Sequence, residues 1–243
     1  MAKRLPEGPA PEPVVQRLRL QYAKRGRLRF SSARDFQRAL ERALRRSGVP
    51  VAFSAGFHPH PRISYAGAAP TGTASEAEYF ELLLREVCDP DEVRARLDAA
   101  LPDGLDVVRA CEALPGALAD RLEASEWRLE FVGAESDRVE PGLRRLLERE
   151  QVEVTRMMKR GPRTFDVRAA VLDASVSTSP HGAVLRLVLR HDTPAVRPDD
   201  VLTALRDVGD SQIGEKPLMT RLRQGPLGAD GQVRDPLVAP TGD

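Results

Sequence analysis

The stretch VVQRLRLQYAKRGRLRFSSARDFQRALERALRRSGVPVAF, residues 14–53, sets the order of elements on which the chain is built. Its first part alternates: Val15, Arg17 and Arg19 point one way and Val14, Leu18 and Leu20 the other, which is the period of a half-buried strand over Val14–Tyr22. Lys24-Arg25-Gly26-Arg27 then turns the chain toward Leu28-Arg29-Phe30, and Ser31-Ser32 offers hydroxyls that cap a helix start. Phe36, Ala39, Leu40, Ala43 and Leu44 recur at i, i+3, i+4, i+7 and i+8, so residues 33–47 read as an amphipathic helix ended by Gly48 and Pro50. Val51-Ala52-Phe53 opens a second strand, which a Gly/His/Pro loop interrupts before Ile63-Ser64-Tyr65-Ala66.

Further along, Glu78–Val87 reads as a strand, Asp89-Pro90 starts a helix carrying Val93, Leu97 and Ala100, and Gly104–Cys111 supplies a fourth strand. A similar order then begins again. Trp127-Arg128-Leu129-Glu130-Phe131 alternates cleanly, and Pro141 precedes a helix with Leu143, Leu146 and Leu147. Strands are predicted at Val152–Met158, Thr164–Leu172 and Ala183–Leu189, a helix at Pro198–Leu205, and a closing strand at Leu218–Leu222. The pattern therefore predicts an α+β fold of two tandem ferredoxin-like (βαββαβ) domains, at 14–123 and 124–224. Residues 1–13 are Pro-rich and read as a disordered tail. Residues 225–243 read as a second flexible tail or, through Asp230-Gly231, as a terminal hairpin.

Composition bounds the chemistry. The 243 residues are 41% hydrophobic and 30% charged, as in a globular protein rather than a disordered one. Two cysteines, Cys88 and Cys111, exclude a disulfide scaffold and a four-thiolate zinc or iron–sulfur site within the chain. No apolar run is long enough for a membrane span, and the Pro-rich start lacks the apolar core of a signal peptide, so a cytoplasmic location is expected.

Lys and Arg total 37 against 36 Asp and Glu, yet this balance hides a strong asymmetry. Arg17 to Arg62 holds twelve basic residues against Asp35 and Glu41 alone, whereas Ile63 to Ser125 holds five against thirteen acids. Arg34, Arg38, Arg42 and Arg45 step along one face of the predicted helix, away from the Phe36–Leu40–Leu44 stripe. Arginine in such a row suits bidentate phosphate contacts and stacking on bases. The plainer alternative is a solvated face whose arginines pair with the acidic segment 76–86.

Half of the four histidines fall in Phe53-Ser54-Ala55-Gly56-Phe57-His58-Pro59-His60-Pro61-Arg62-Ile63-Ser64. Pro59 and Pro61 hold His58 and His60 extended, so both imidazoles project from a stiff loop. Three chemistries fit: metal binding, acid/base work on a phosphodiester with Arg62 or Lys24 stabilising charge, or a non-catalytic role, in which the imidazoles, Phe57 and Arg62 form a rigid contact surface for a nucleic acid or protein or the loop is purely structural. Metal binding lacks companions, because His181 and His191 lie in the other half.

The run Leu28–Arg46, then Phe53–Ser64, then Gly72, Ser75, Glu76 and Glu78-Tyr79, resembles the radical SAM-linked protein family, an uncharacterised bacterial domain encoded beside or fused to a radical SAM protein. The resemblance is close over residues 15–110 and loose beyond. It implies a radical SAM protein as partner, with the iron–sulfur cluster and any radical chemistry held there, and no cofactor of this chain's own. The same segments are distantly similar to tandem ferredoxin-like, metal-independent CRISPR repeat-processing endonucleases, which implies His58 or His60 as a candidate base. Those nucleases carry a Gly-rich loop near the C-terminus, where this sequence offers only Gly225, Gly228 and Gly231.

The expectation is a non-catalytic accessory protein of a radical SAM enzyme. It would recognise RNA (tRNA or rRNA) through Lys24, Arg25, Arg27, Arg34, Arg38, Arg42, His58, His60 and Arg62. A metal-independent RNA endonuclease and a protein–protein adaptor docking on the radical SAM partner are the alternatives.

Overall fold

The computed structural model describes residues 10–134, 136–159, 161–209 and 216–239. The chain is α+β and divides into two compact units, Met1–Ala119 with Leu237–Asp243, and Asp120–Pro236.

The first unit runs β1 (Gln16–Lys24), α1 (Ala33–Ser47), β2 (Ile63–Ala66), β3 (Ala74–Leu84), α2 (Pro90–Asp98) and β4 (Leu105–Glu112). Its strands lie in the order β4-β1-β3-β2, each antiparallel to its neighbour. Leu18, Leu20 and Tyr22 of β1 and Phe80, Leu82 and Leu84 of β3 form a core with Phe36, Leu40 and Leu44 of α1. Two features of the sequence fix α1. Ser32 Oγ accepts from Asp35 N at 3.2 Å while Asp35 Oδ2 accepts from Ser32 N at 3.0 Å, a reciprocal cap that satisfies two otherwise free donors. At the other end Gly48 takes φ +62°, a left-handed conformation that favours glycine.

Arg19 departs from the sequence expectation. Alternation places it on the water-facing side of β1, yet it is fully buried. It sits directly opposite Glu81 on β3, with Nε donating to Oε1 at 2.8 Å, and Nη2 donates to the Gly116 carbonyl at 2.6 Å. A paired and hydrogen-bonded guanidinium tolerates burial that a bare one does not.

The second unit runs β5 (Ala124–Val132), α3 (Glu140–Glu148), β6 (Glu153–Met158), β7 (Gly161–Asp166), α4 (Val167–Ala170), β8 (Val171–Ser179), β9 (Gly182–Arg190), α5 (Pro198–Val208) and β10 (Leu218–Gly225). Its main sheet has the order β10-β5-β9-β8, again antiparallel throughout, while β6 and β7 pair only as a separate hairpin. Without that hairpin and α4, the six remaining elements repeat the order and pairing of the first unit. Trp127, Leu129 and Phe131 meet Leu143 and Leu146 of α3 and Val201, Leu202 and Leu205 of α5 in its core.

The strand expected at Thr164–Leu172 is in fact three elements: β7, one turn of helix and the start of β8. The Asp166 carboxylate caps the turn, accepting from Val152 N at 3.0 Å and Arg168 N at 2.9 Å, and Arg168-Ala169-Ala170 after it favour helix. After β10 the chain forms a terminal turn, closed by a Leu227–Val233 bridge and by Gly228 N donating to the Gln232 carbonyl at 2.9 Å. It packs so closely that a Cβ on Gly225 would lie 2.0 Å from the Arg234 carbonyl oxygen. Of the expected N-terminal tail, residues 1–9 lie outside the described residues. Within the described part of it, Glu12 accepts from Phe53 N at 3.1 Å.

Candidate nucleic-acid interface

The basic segment of the first unit separates into residues held inside and residues left on the surface. β1 extends two residues beyond Tyr22, which draws Lys24 into the sheet opposite Ser75 and Leu105. There Lys24 is buried, with Nζ 3.4 Å from the Ala69 carbonyl and 3.3 Å from that of Pro70. Arg25 is exposed but engaged, bound to Glu76 and, at 2.7 Å, to Asp106; the Glu76 hydrogen bond is the main reason its pKa rises further. Arg27 lies exposed in the 3-10 turn Gly26–Phe30. Neither Lys24 nor Arg25 is a free cation on this surface.

The helix is different. Arg34, Arg38, Arg42 and Arg45 are all exposed. At 3.6 residues per turn they fall within an arc of about 80° and span about 16 Å of the axis. Among the described residues no carboxylate lies within ion-pair distance of any of the four, although Arg38 and Arg34 help hold the Asp35 carboxyl below its usual range, behind the larger effect of its hydrogen bonds to Ser32. The acids of segment 76–86 are engaged elsewhere: Glu76 with Arg25, Glu81 with Arg19, Glu86 with Arg85 at 3.7 Å, and Glu78 with Ala69 N at 3.0 Å. The pairing that would have neutralised the row is therefore absent among the described residues.

The histidine loop interrupts a strand. Ala52 N donates to the Leu83 carbonyl, Arg62 N to that of Ala52 and Leu83 N to that of Arg62, so residues 51–53 and 61–66 form one line along β3. Between them the chain leaves as a short hairpin. A Phe53–Pro61 bridge closes its base, and Ser54 N donates to the His60 carbonyl at 2.9 Å while His60 N donates to Ser54 Oγ at 3.0 Å. Gly56, at φ +104°, allows the reversal. Phe57, His58, Pro59 and His60 are exposed at the tip, and Arg62 is half-buried at the base. Tyr65 of β2 meets the Phe36 ring of α1 edge-on at 6.0 Å, so the strand that carries this loop lies against the helix that carries the arginines.

Two aromatics in these segments are exposed, Phe57 of the hairpin and Phe30, which charge counting overlooks. Phe57 is 74% exposed and Phe30, in the turn before α1, is 60% exposed with the Arg29 guanidinium 4.8 Å from its ring centroid. Their signal in the sequence is their place inside basic or turn-forming segments rather than on an apolar stripe.

In the second unit, one pair has the spacing of a catalytic couple. Ser125 Oγ lies 2.9 Å from His191 Nε2, a spacing usable by a nucleophile and its base. Ser125 is only 1% exposed, however, and its oxygen also accepts from Trp127 Nε1 at 2.7 Å, while His191 Nδ1 lies 2.7 Å from the Leu122 carbonyl. This is a satisfied structural network. Among the described residues no three His, Cys, Asp or Glu side chains converge on a possible metal position, and no helix is long and apolar enough to cross a membrane.

A family model described as an uncharacterised protein conserved in bacteria (DUF2344) matches residues 17–198. The chain belongs to this family. The match takes in every arginine of the α1 row and the whole histidine hairpin of this DUF2344 protein. No curated protein matches it. Among solved structures, the crystal structure of a Cbf5–Nop10–Gar1 complex is similar at 12% identity and a TM-score of 0.44, covering 92% of this chain and 55% of that one. The DUF2344 chain thus spans little more than half the length of the chain it resembles.

Proposed function

We propose that this protein is a non-catalytic accessory factor that recognises RNA through the α1 arginine row and the Phe57–Arg62 hairpin, and that it serves a radical SAM protein. The observation that carries the RNA reading is the exposed arginine row itself. Four guanidiniums on one helix face outnumber the two acids of that helix, Asp35 and Glu41, and no carboxylate lies within ion-pair distance of them among the described residues, which leaves a concentrated positive field in a chain whose net charge is only +1. Such a field draws a polyanion, and each phosphate bound releases counterions. The repeated β-α-β-β-α-β order, with strand order fourth-first-third-second in both units, supports reading them as tandem ferredoxin-like domains. The radical SAM partner rests on the resemblance of Leu28–Arg46 and Phe53–Ser64 to the radical SAM-linked family.

The test is retention of total bacterial RNA by the immobilised full-length protein at moderate salt. Arg38→Glu/Arg42→Glu should lose retention while keeping its circular dichroism spectrum. Unchanged retention would overturn the basic-face reading. Capture of a radical SAM protein by the RNA-free chain, with no RNA bound at any salt, would make the arginine row a protein-docking surface instead.

A further inference from the structure

The arginine row explains attraction to any nucleic acid, but not why two phenyl rings of the same unit, one in the turn before α1 and one at the hairpin tip, stand in water. We infer, building on the RNA reading above, that the RNA is unpaired where it meets this unit, with one base stacked on Phe57 and a second on Phe30.

The ring of Phe57 is 74% exposed at the tip of a hairpin whose base is already closed by the Phe53–Pro61 bridge and whose neck is held by the two Ser54–His60 hydrogen bonds. Pro59 and Pro61 restrict the same loop. The ring is therefore displayed by a stiff support, and little conformational freedom remains to be lost when something lands on it. His58 and His60, exposed beside it, add two flat π-faces. Phe30 stands in the turn leading into α1, 60% exposed, with Arg29 at 4.8 Å; the guanidinium lies close to the ring while much of that ring stays open to solvent.

An A-form duplex has its bases stacked on one another, and its phosphates and 2′-hydroxyls are what a protein meets. The arginine row would take such a duplex, but the rings would find no free base face. Unpaired nucleotides satisfy both parts of the surface at once, with phosphates on Arg34, Arg38 and Arg42 and bases on the rings. Every base has a π-face, so this platform selects for strand state rather than for sequence.

The experiment is fluorescence anisotropy on the full-length chain with three labelled RNAs of matched composition: an unstructured strand, a hairpin with an open loop, and a blunt duplex. The native protein should bind the strand and the loop more tightly than the duplex. Phe57→Ala should weaken the first two by roughly 5- to 100-fold and leave the duplex and the salt dependence unchanged. Phe57→Tyr should restore binding, since it keeps the ring. Equal affinity for strand and duplex, or a Phe57→Ala protein that binds the strand like the native one, would overturn the stacking inference and leave the RNA reading standing. Failure of the native protein to bind any of the three at low salt would remove the RNA reading itself.

Discussion

Truncating the arginines of α1 one at a time should reduce the salt dependence of RNA binding in equal steps. Arg34, Arg38, Arg42 and Arg45 are exposed on one face, with no carboxylate within ion-pair distance among the described residues. If all four meet phosphates of an unpaired strand, the slope of log K against log salt is about −0.7 per contact, or about −3 in all. Affinity should then fall about 50-fold between 50 and 200 mM salt. Removing Arg38 and Arg42 leaves two contacts, a slope of about −1.4, and a fall of only about sevenfold over the same range. Alanine is the right replacement because it favours helix and exposed positions contribute little packing, so any loss of binding is not a loss of fold. Anisotropy titrations at five or six salt concentrations, on the native chain and the single, double and triple Ala variants, read the slopes directly. A slope that stays the same as arginines are removed would refute the reasoning, whatever the absolute affinities.

The structure also fixes three stability outcomes, each measurable by urea unfolding. Gly48→Ala forces a side chain into a left-handed conformation at φ +62°, with its Cβ 3.2 Å from Arg96 Nη2, and should cost about 1 kcal/mol; a neutral result would mean that the α1 end relaxes freely. Arg19→Met leaves Glu81 buried without its partner and should cost about 3–5 kcal/mol, much of it recovered in Arg19→Met/Glu81→Met; purely additive losses would contradict the pairing. His191, whose pKa burial holds below the ordinary 6.5 against the hydrogen bond to the Leu122 carbonyl, with Arg221 adding and Asp192 opposing, takes up its proton more readily in the unfolded chain. Stability from this residue is thus complete above about pH 6.5 and is lost as pH falls through that value toward the depressed folded one. His191→Gln should remove that part of the acid loss, and an identical pH profile in the variant would exclude it.

What the sequence made legible, and what it hid, follows the range of the forces involved. Helix α1 was readable at both ends because its signals are local: the Ser32–Asp35 cap and Gly48 lie within a few residues of the turns they control. The interrupted second strand was readable too, since Pro59 and Pro61 act on their own neighbours. The burial of Arg19 and Lys24 was not legible because their environment comes from far along the chain, from Glu81 and from the carbonyls of Ala69 and Pro70. A charged residue in a strand looks solvent-facing until its cross-strand partner is known. The short helix α4 was hidden for the opposite reason: its signals, the Asp166 cap and Arg168-Ala169-Ala170, are local but only one turn long between two strands. For the candidate interface, the helix row and the loop were visible as patterns, whereas the engagement of Arg25 and the exposure of Phe30 were not.

The second unit supplies an internal comparison that bears on whether the arginine row is a by-product of the fold. α3 occupies the same place in the β-α-β-β-α-β order as α1 and buries Leu143 and Leu146 much as α1 buries Leu40 and Leu44. Its exposed face carries Arg144 and Arg145 together with Glu140 and Glu148, and Arg144 lies 4.0 Å from Glu148. A helix at this position is thus stable with mixed charges that offset one another. α1 instead bears four arginines on one face against Asp35 and Glu41, with no carboxylate within ion-pair distance of the four among the described residues, and like charges spaced three or four residues apart weaken a helix slightly. Neither the topology nor the packing calls for that row, so its source is sought in what the helix meets, and the salt slope is the measurement that reads it.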